Sequence, residues 1–313
     1  MNPMLRRVTP AEVLEAAARP PIDDETLEIA KTIVNDVERR GETALRERAE
    51  SLGDIAPGAP LYLGPYALTE ELRTIDDDTR ALLERTAERI ERFAKAQKAS
   101  LTEVVIEVPG GRAGHRVIPL RCAGCYAPGG RFPLPSSVLM TAVTARVADV
   151  ETVWIASPKP SKVTLAAAAV AKVDGVLTAG GAQAIAAMAF GTGEVPRCDV
   201  IVGPGNRFVT AAKQFVSDRV GIDMLAGPSE LLVFADEHAD AATIAADLLA
   251  QAEHDPDALP VLVTTASNLV DAVDAELGKQ LPDLSTKEIA AASLRRGFAV
   301  LVKDEDEGIA VCD

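Results

Sequence analysis

The 313-residue sequence is poor in aromatic residues, histidine, cysteine and long apolar runs, and each shortage excludes something. Aromatics make up 4%, with 7 Phe, 3 Tyr and 1 Trp, too few to build a base-stacking surface. Lys and Arg number 32 against 47 Asp and Glu, a net charge of -15. A chain this acidic lacks the basic footprint of a general nucleic-acid binder and is not drawn to anionic lipid. The most apolar stretches, LAAAAVAKV and AIAAMAF, are short and broken by Lys, Asp and Gly, so neither reads as a membrane span. Four cysteines, Cys122, Cys125, Cys198 and Cys312, are too few for a disulfide scaffold. The start, MNPMLRRVTPAEV, has two arginines with no apolar segment behind them. It does not read as a secretory signal, and a cytoplasmic protein is expected.

What is present suits globular α/β structure. Hydrophobic residues reach 48%, enough for a core, and the length suggests two domains. From Asp24 to Arg40, Leu27, Ala30, Val34 and Val37 recur at helical spacing, and Gly41 supplies a stop. Thr79 to Lys98 reads as a second amphipathic helix. Residues 103–108 and 115–120 read as a hairpin around Pro109–Gly114. From Ala123 onward, short apolar runs alternate with Ala-rich helical stretches. The strand candidates are Gly124–Ala127, Thr152–Ala156, Gly175–Thr178, Val200–Val202, Leu231–Ala235, Val261–Thr264 and Ala299–Val302. This rhythm predicts parallel sheets covered by helices, with ligands beyond the strand carboxyl ends. Glycine-rich turns fall near several of those ends, at Pro128-Gly129-Gly130, Gly180-Gly181 and Gly203-Pro204-Gly205-Asn206.

General motifs alone decide little. The G-x-G-x-x-G fingerprint and the P-loop are absent, as is a G-x-S-x-G elbow. Cys122 and Cys125 form a C-x-x-C, either a redox pair or half a zinc site, or two small residues packed at a strand end; with no second C-x-x-C, packing is favoured. His115, beside the hairpin, and His238, in an acidic loop, read as surface residues. The helix after Asp240 holds more. Asp247, Gln251 and His254 share one face near its end. Spacing leaves two readings open for His254, a zinc ligand or a residue satisfied by the last helix carbonyls.

The runs CYAPGG, PSSVLM, GGAQAIAAMAFGT, DVIVGPGNRFV, VGIDMLAGPSELLV and ADLLAQAEHD occur in this order. Together they resemble histidinol dehydrogenase, an NAD-dependent zinc enzyme that ends histidine biosynthesis. The resemblance is strong from Arg121 to Thr265 and weaker before about residue 100. It implies Tyr126, Gln183 and Asn206 as NAD contacts, and Ser229, Gln251 and His254 as substrate contacts. Gln251 and His254 are also the implied zinc ligands, with Asp247 in support. The implied reaction is the four-electron oxidation of L-histidinol through histidinal to L-histidine. The family is a homodimer whose C-terminal tail reaches the partner's site.

The resemblance also implies a Glu-His base pair in a P-E-H-L motif, together with later zinc and substrate contacts. The 313 residues contain no such motif, and the only histidines are His115, His238 and His254. The catalytic base is therefore unassigned, and the expectation is a truncated relative, inactive alone. A natural non-catalytic short relative and a paralogous zinc/NAD alcohol dehydrogenase are the alternatives. The implied fold is two intertwined, incomplete Rossmann-like domains of aldehyde-dehydrogenase-like type, with an N-terminal helical segment. Residues 1–120 and 231–313 are expected to form the discontinuous zinc and substrate domain. Residues 121–230 are expected to form the NAD-side domain, with Ser229, Gln251 and His254 at the seam.

Overall fold

The computed structural model describes residues 4–17, 22–129, 133–225 and 229–312. It comprises two compact units, Ile22–Ala226 and the discontinuous pair Met1–Pro21 with Gly227–Asp313. The chain opens in the second, smaller unit with β1 (Arg6–Val8) and α1 (Pro10–Ala17).

The larger unit begins with α2 (Asp24–Arg40), where the Asp23 carboxylate caps the Thr26 N–H and the stripe Ala30, Val34 and Val37 is buried. It is followed by α3 (Glu42–Ser51), β2 (Tyr62–Leu63), α4 (Pro65–Thr74) and α5 (Asp77–Ala99). A hairpin, β3 (Val104–Val108) and β4 (Gly111–His115), comes next. Its second strand starts four residues before the expected one, because Gly110 takes φ +89° and closes a two-residue turn directly after Pro109. Every position in both strands is exposed.

The main sheet is built from β5 (Cys122–Tyr126), β6 (Thr152–Ala156), β7 (Gly175–Leu177), β8 (Val200–Val202) and β9 (Gly221–Ile222). Its order is β2-β7-β6-β5-β8-β9, all parallel except β2. Counted from β5, the parallel strands run 3-2-1-4-5, so the order reverses between β5 and β8. The connecting helices are α6 (Pro135–Val147), α7 (Lys162–Val170), α8 (Gly181–Phe190) and α9 (Arg207–Val216). Alternation on the strands divides the core. Cys122, Tyr126, Trp154 and Leu177 pack with α2, α3, α8 and α9. Ala123, Cys125, Val153, Ile155 and Val176 pack on the other face with α6, α7 and residues of α4 and α5. Truncating one of these fully buried side chains, such as Ile155, to alanine costs about 2–5 kcal/mol.

The expected boundary at residue 120 is therefore corrected. Residues 22–120 join the 121–226 segment rather than the C-terminal one, because α2 packs against α8 and α9, and α4 against α7.

The smaller unit is a four-stranded parallel sheet, ordered β1-β12-β11-β10, from β10 (Glu230–Ala235), β11 (Leu259–Thr264), β12 (Phe298–Leu301) and β1. One face is covered by α10 (Ala241–Ala252), α11 (Ser267–Gln280) and α12 (Lys287–Leu294). The other face packs Val261, Val263 and Val300 with Val13 of α1 and Val311 of α13 (Glu305–Cys312).

Candidate functional site

In the larger unit, three turns meet the carboxyl edge of the sheet. Tyr126 is the last residue of β5 and only 3% exposed. Its hydroxyl accepts the N–H of Gly181, the first residue of α8, at 3.1 Å. Burial pushes the phenol up to about 12. The neighbouring Gly180 N–H donates to Asp54 at 2.9 Å. Burial raises the Asp54 carboxyl above its ordinary value, and the Gly180 bond and the Lys159 cation only partly oppose it.

Gln183 is the one polar side chain in the apolar helix GAQAIAAMAF, and it is 1% exposed. Its Nε2 is buried without a hydrogen-bond partner. A buried amide donor left unpaired costs about 1–3 kcal/mol, which marks the position as one kept for something other than stability.

The turn after β8 reaches Asn206, whose Oδ1 accepts the N–H groups of Phe208 and Val209 at 3.1 and 3.2 Å. Asn206 is thus the N-cap of α9, and its Nδ2 group is left to donate. Gly203 opens this turn at φ +115°.

In the smaller unit, Asp240 caps α10 through the Thr243 N–H at 2.8 Å. Gln251 lies in the last turn and His254 just beyond it. His254 is exposed, and its Nδ1 stands 2.7 Å from the Ala250 carbonyl. A carbonyl only accepts, so Nδ1 carries a proton, and in the neutral ring the lone pair is then on Nε2. The Nε2 of Gln251 is buried and unpartnered. Ser229, exposed, precedes β10, and its carbonyl accepts the Leu259 N–H at 3.1 Å. Ser229 and the end of α10 both lie at the amino edge of this sheet, opposite to the edge expected for ligands.

His115 and His238 are exposed, as expected of surface residues, and Asp247 is exposed as well. Cys122 and Cys125 are buried on opposite faces of β5. The nearest thiol to Cys122 is that of Cys198, at 3.5 Å, a neighbour the C-x-x-C spacing did not reveal. Among the described residues, no group of three or more His, Cys, Asp and Glu stands ready to hold a metal. A cavity of about 610 Å³ lies between α5 and the ends of α6 and α7, at the amino edge of the main sheet and away from Tyr126.

The sequence profile of histidinol dehydrogenase matches residues 18–313. The chain belongs to the histidinol dehydrogenase family.

Histidinol dehydrogenase of Parasynechococcus marenigrum is 46% identical over 281 residues, covering 88% of this chain and 64% of that protein. That of Thermus thermophilus is 45% identical over 288 residues, covering 91% and 68%. The crystal structure of histidinol dehydrogenase from Elizabethkingia anophelis superposes with a TM-score of 0.86 at 30% identity, over 99% of this chain and 74% of that one. The chain thus spans about two thirds of the length of the curated histidinol dehydrogenases it matches.

Proposed function

We propose that this histidinol dehydrogenase relative serves the NAD-dependent oxidation of L-histidinol to L-histidine through the aldehyde. The observation that carries the cofactor half is the unpaired Nε2 of Gln183, buried in the first turn of α8, whose leading Gly181 N–H meets the hydroxyl of Tyr126 from the carboxyl end of β5. Tyr126, Gln183 and Asn206 are the proposed cofactor contacts. Tyr126 sets the start of α8 through Gly181. Gln183 offers an amide donor already stripped of water, and Asn206 an amide donor at the start of α9.

Gln251 and His254 fit a zinc ion in the type of their donors. The proton on His254 Nδ1 is held by a backbone carbonyl, the arrangement that leaves Nε2 as a ligand. Two donors are fewer than the three protein ligands usual for catalytic zinc, so the proposal requires others beside them. Ser229 is the proposed substrate contact in the same unit. When bound, NAD⁺ accepts hydride and zinc orients the substrate. A cytoplasmic homodimer is part of the same reading.

The test is NADH formation by the full-length protein with L-histidinol and NAD⁺, with and without a zinc chelator. Two NADH per L-histidinol, lost on chelation, is the expected result. Absence of turnover with L-histidinol overturns the proposal.

A further inference from the structure

We propose that Lys213 and Asp223 are positioning residues of the cofactor site, an ion pair between a buried lysine and a partly exposed aspartate that grips both backbone groups of Gly203 and so sets the Gly203–Asn206 turn. The inference rests on the reading of Asn206 as a cofactor contact.

Lys213 is 3% exposed, a rare state for lysine unless it is paired. Its Nζ donates to the Gly203 carbonyl at 2.5 Å and to Asp223 Oδ1 at 2.6 Å. Asp223 Oδ2 in turn accepts the Gly203 N–H at 2.7 Å. Gly203, Lys213 and Asp223 therefore close a ring of hydrogen bonds. Oδ1 of Asp223 also accepts the Met224 N–H at 2.8 Å. The pair joins three elements, because Gly203 follows β8, Lys213 sits on α9 and Asp223 follows β9.

Taking the Lys213 ammonium out of water costs several kcal/mol, which its attraction to a partly exposed carboxylate offsets only in part, so stability alone does not account for this pair. What the pair supplies is direction. Gly203 cannot rotate without breaking a charge-assisted bond at one of its two backbone groups. On the far side, a β-carbon at Gly205 would fall 2.3 Å from Val209 Cγ1, so the turn is also seated on α9. Three residues after Gly203, the Asn206 amide therefore leaves the chain at a fixed place, already ordered before any ligand arrives.

The test titrates NAD⁺ calorimetrically into the wild-type protein and three variants, Lys213→Met, Asp223→Asn and Val150→Ala. Val150→Ala is a control for stability loss, in the core at the amino edge of the main sheet. Lys213→Met is expected to weaken NAD⁺ binding roughly tenfold and Asp223→Asn roughly threefold, with Val150→Ala unchanged. Hydrogen exchange is expected to quicken at the amides of residues 203–209 in Lys213→Met but not in Val150→Ala. Wild-type affinity in both pair variants, or an equal loss in Val150→Ala, overturns the proposal. Should Lys213→Met fail to fold, Asp223→Asn carries the same comparison. Failure of the wild-type protein to bind NAD⁺ sinks the reading of the site instead. The exchange data then decide the clamp, and unchanged exchange at residues 203–209 refutes it.

Discussion

Gly203 stands so close to Tyr126 that a β-carbon built on it falls 2.1 Å from the tyrosine carbonyl oxygen. Strand β5 and the turn after β8 thus meet backbone to backbone. Gly203→Ala would suffer both this collision and a left-handed φ, so a loss of about 2–4 kcal/mol is expected in chemical denaturation. Gly110→Ala shares the left-handed φ but meets nothing within 4 Å. Its expected cost is smaller, about 1 kcal/mol. Equal costs would show that the contact with Tyr126 is not decisive.

Tyr126→Phe keeps the ring and removes the acceptor of the Gly181 N–H. The unpaired amide should lower stability by about 1 kcal/mol. The start of α8 should loosen as well, and NAD⁺ affinity with it. A calorimetric titration giving unchanged affinity would remove Tyr126 from the site.

Gln183→Met separates stability from binding. The substitution deletes a buried donor that has no partner, so thermal stability should hold or rise. NAD⁺ affinity should fall nonetheless. A less stable variant with normal affinity would mean that the amide is structural.

His254→Ala should abolish zinc binding by the full-length protein, measured as metal content after dialysis. Asp247→Ala, on the exposed face of the same helix, should retain it. Retention of zinc by the His254 variant would contradict the ligand assignment.

The Asp54 carboxyl is raised by burial, so folding favours its protonated form. Its contribution is then full below the unfolded value, about 3.9, and is lost as pH rises through the higher folded value. Asp54→Asn keeps an acceptor for Gly180 and has no such loss. Relative to wild type, the variant should gain stability between acid and neutral pH, in urea unfolding at each pH. A difference independent of pH would refute the assignment.

Much of this was legible in the chain because the strands are short and apolar on both faces. Thr152–Ala156 and Val200–Val202 are bounded as their composition indicates. The hairpin slipped because Gly111-Arg112-Ala113-Gly114 carries no β-branched residue, yet it pairs with Val105–Val108. The domain boundary was misplaced because helical periodicity shows that α2 has a buried stripe, not which sheet the stripe covers. The Lys213–Asp223 pair was invisible for a related reason. A lysine on a helix reads as solvated, and only its neighbours Ala211, Ala212 and Val216 hinted at burial.

Helix α8 carries a consequence for how this protein can change. Its residues 182–189 are buried without exception, and most are alanine. Neighbouring elements approach it as closely as a methyl group permits, so volume rather than polarity polices substitution here. In a mutational library this stretch should reject leucine and phenylalanine at Ala184, Ala186 and Ala187 nearly as firmly as it rejects charge. Gln183 would then stand out as the single position where a hydrophilic residue is tolerated, and where its replacement is noticed only when ligand is supplied.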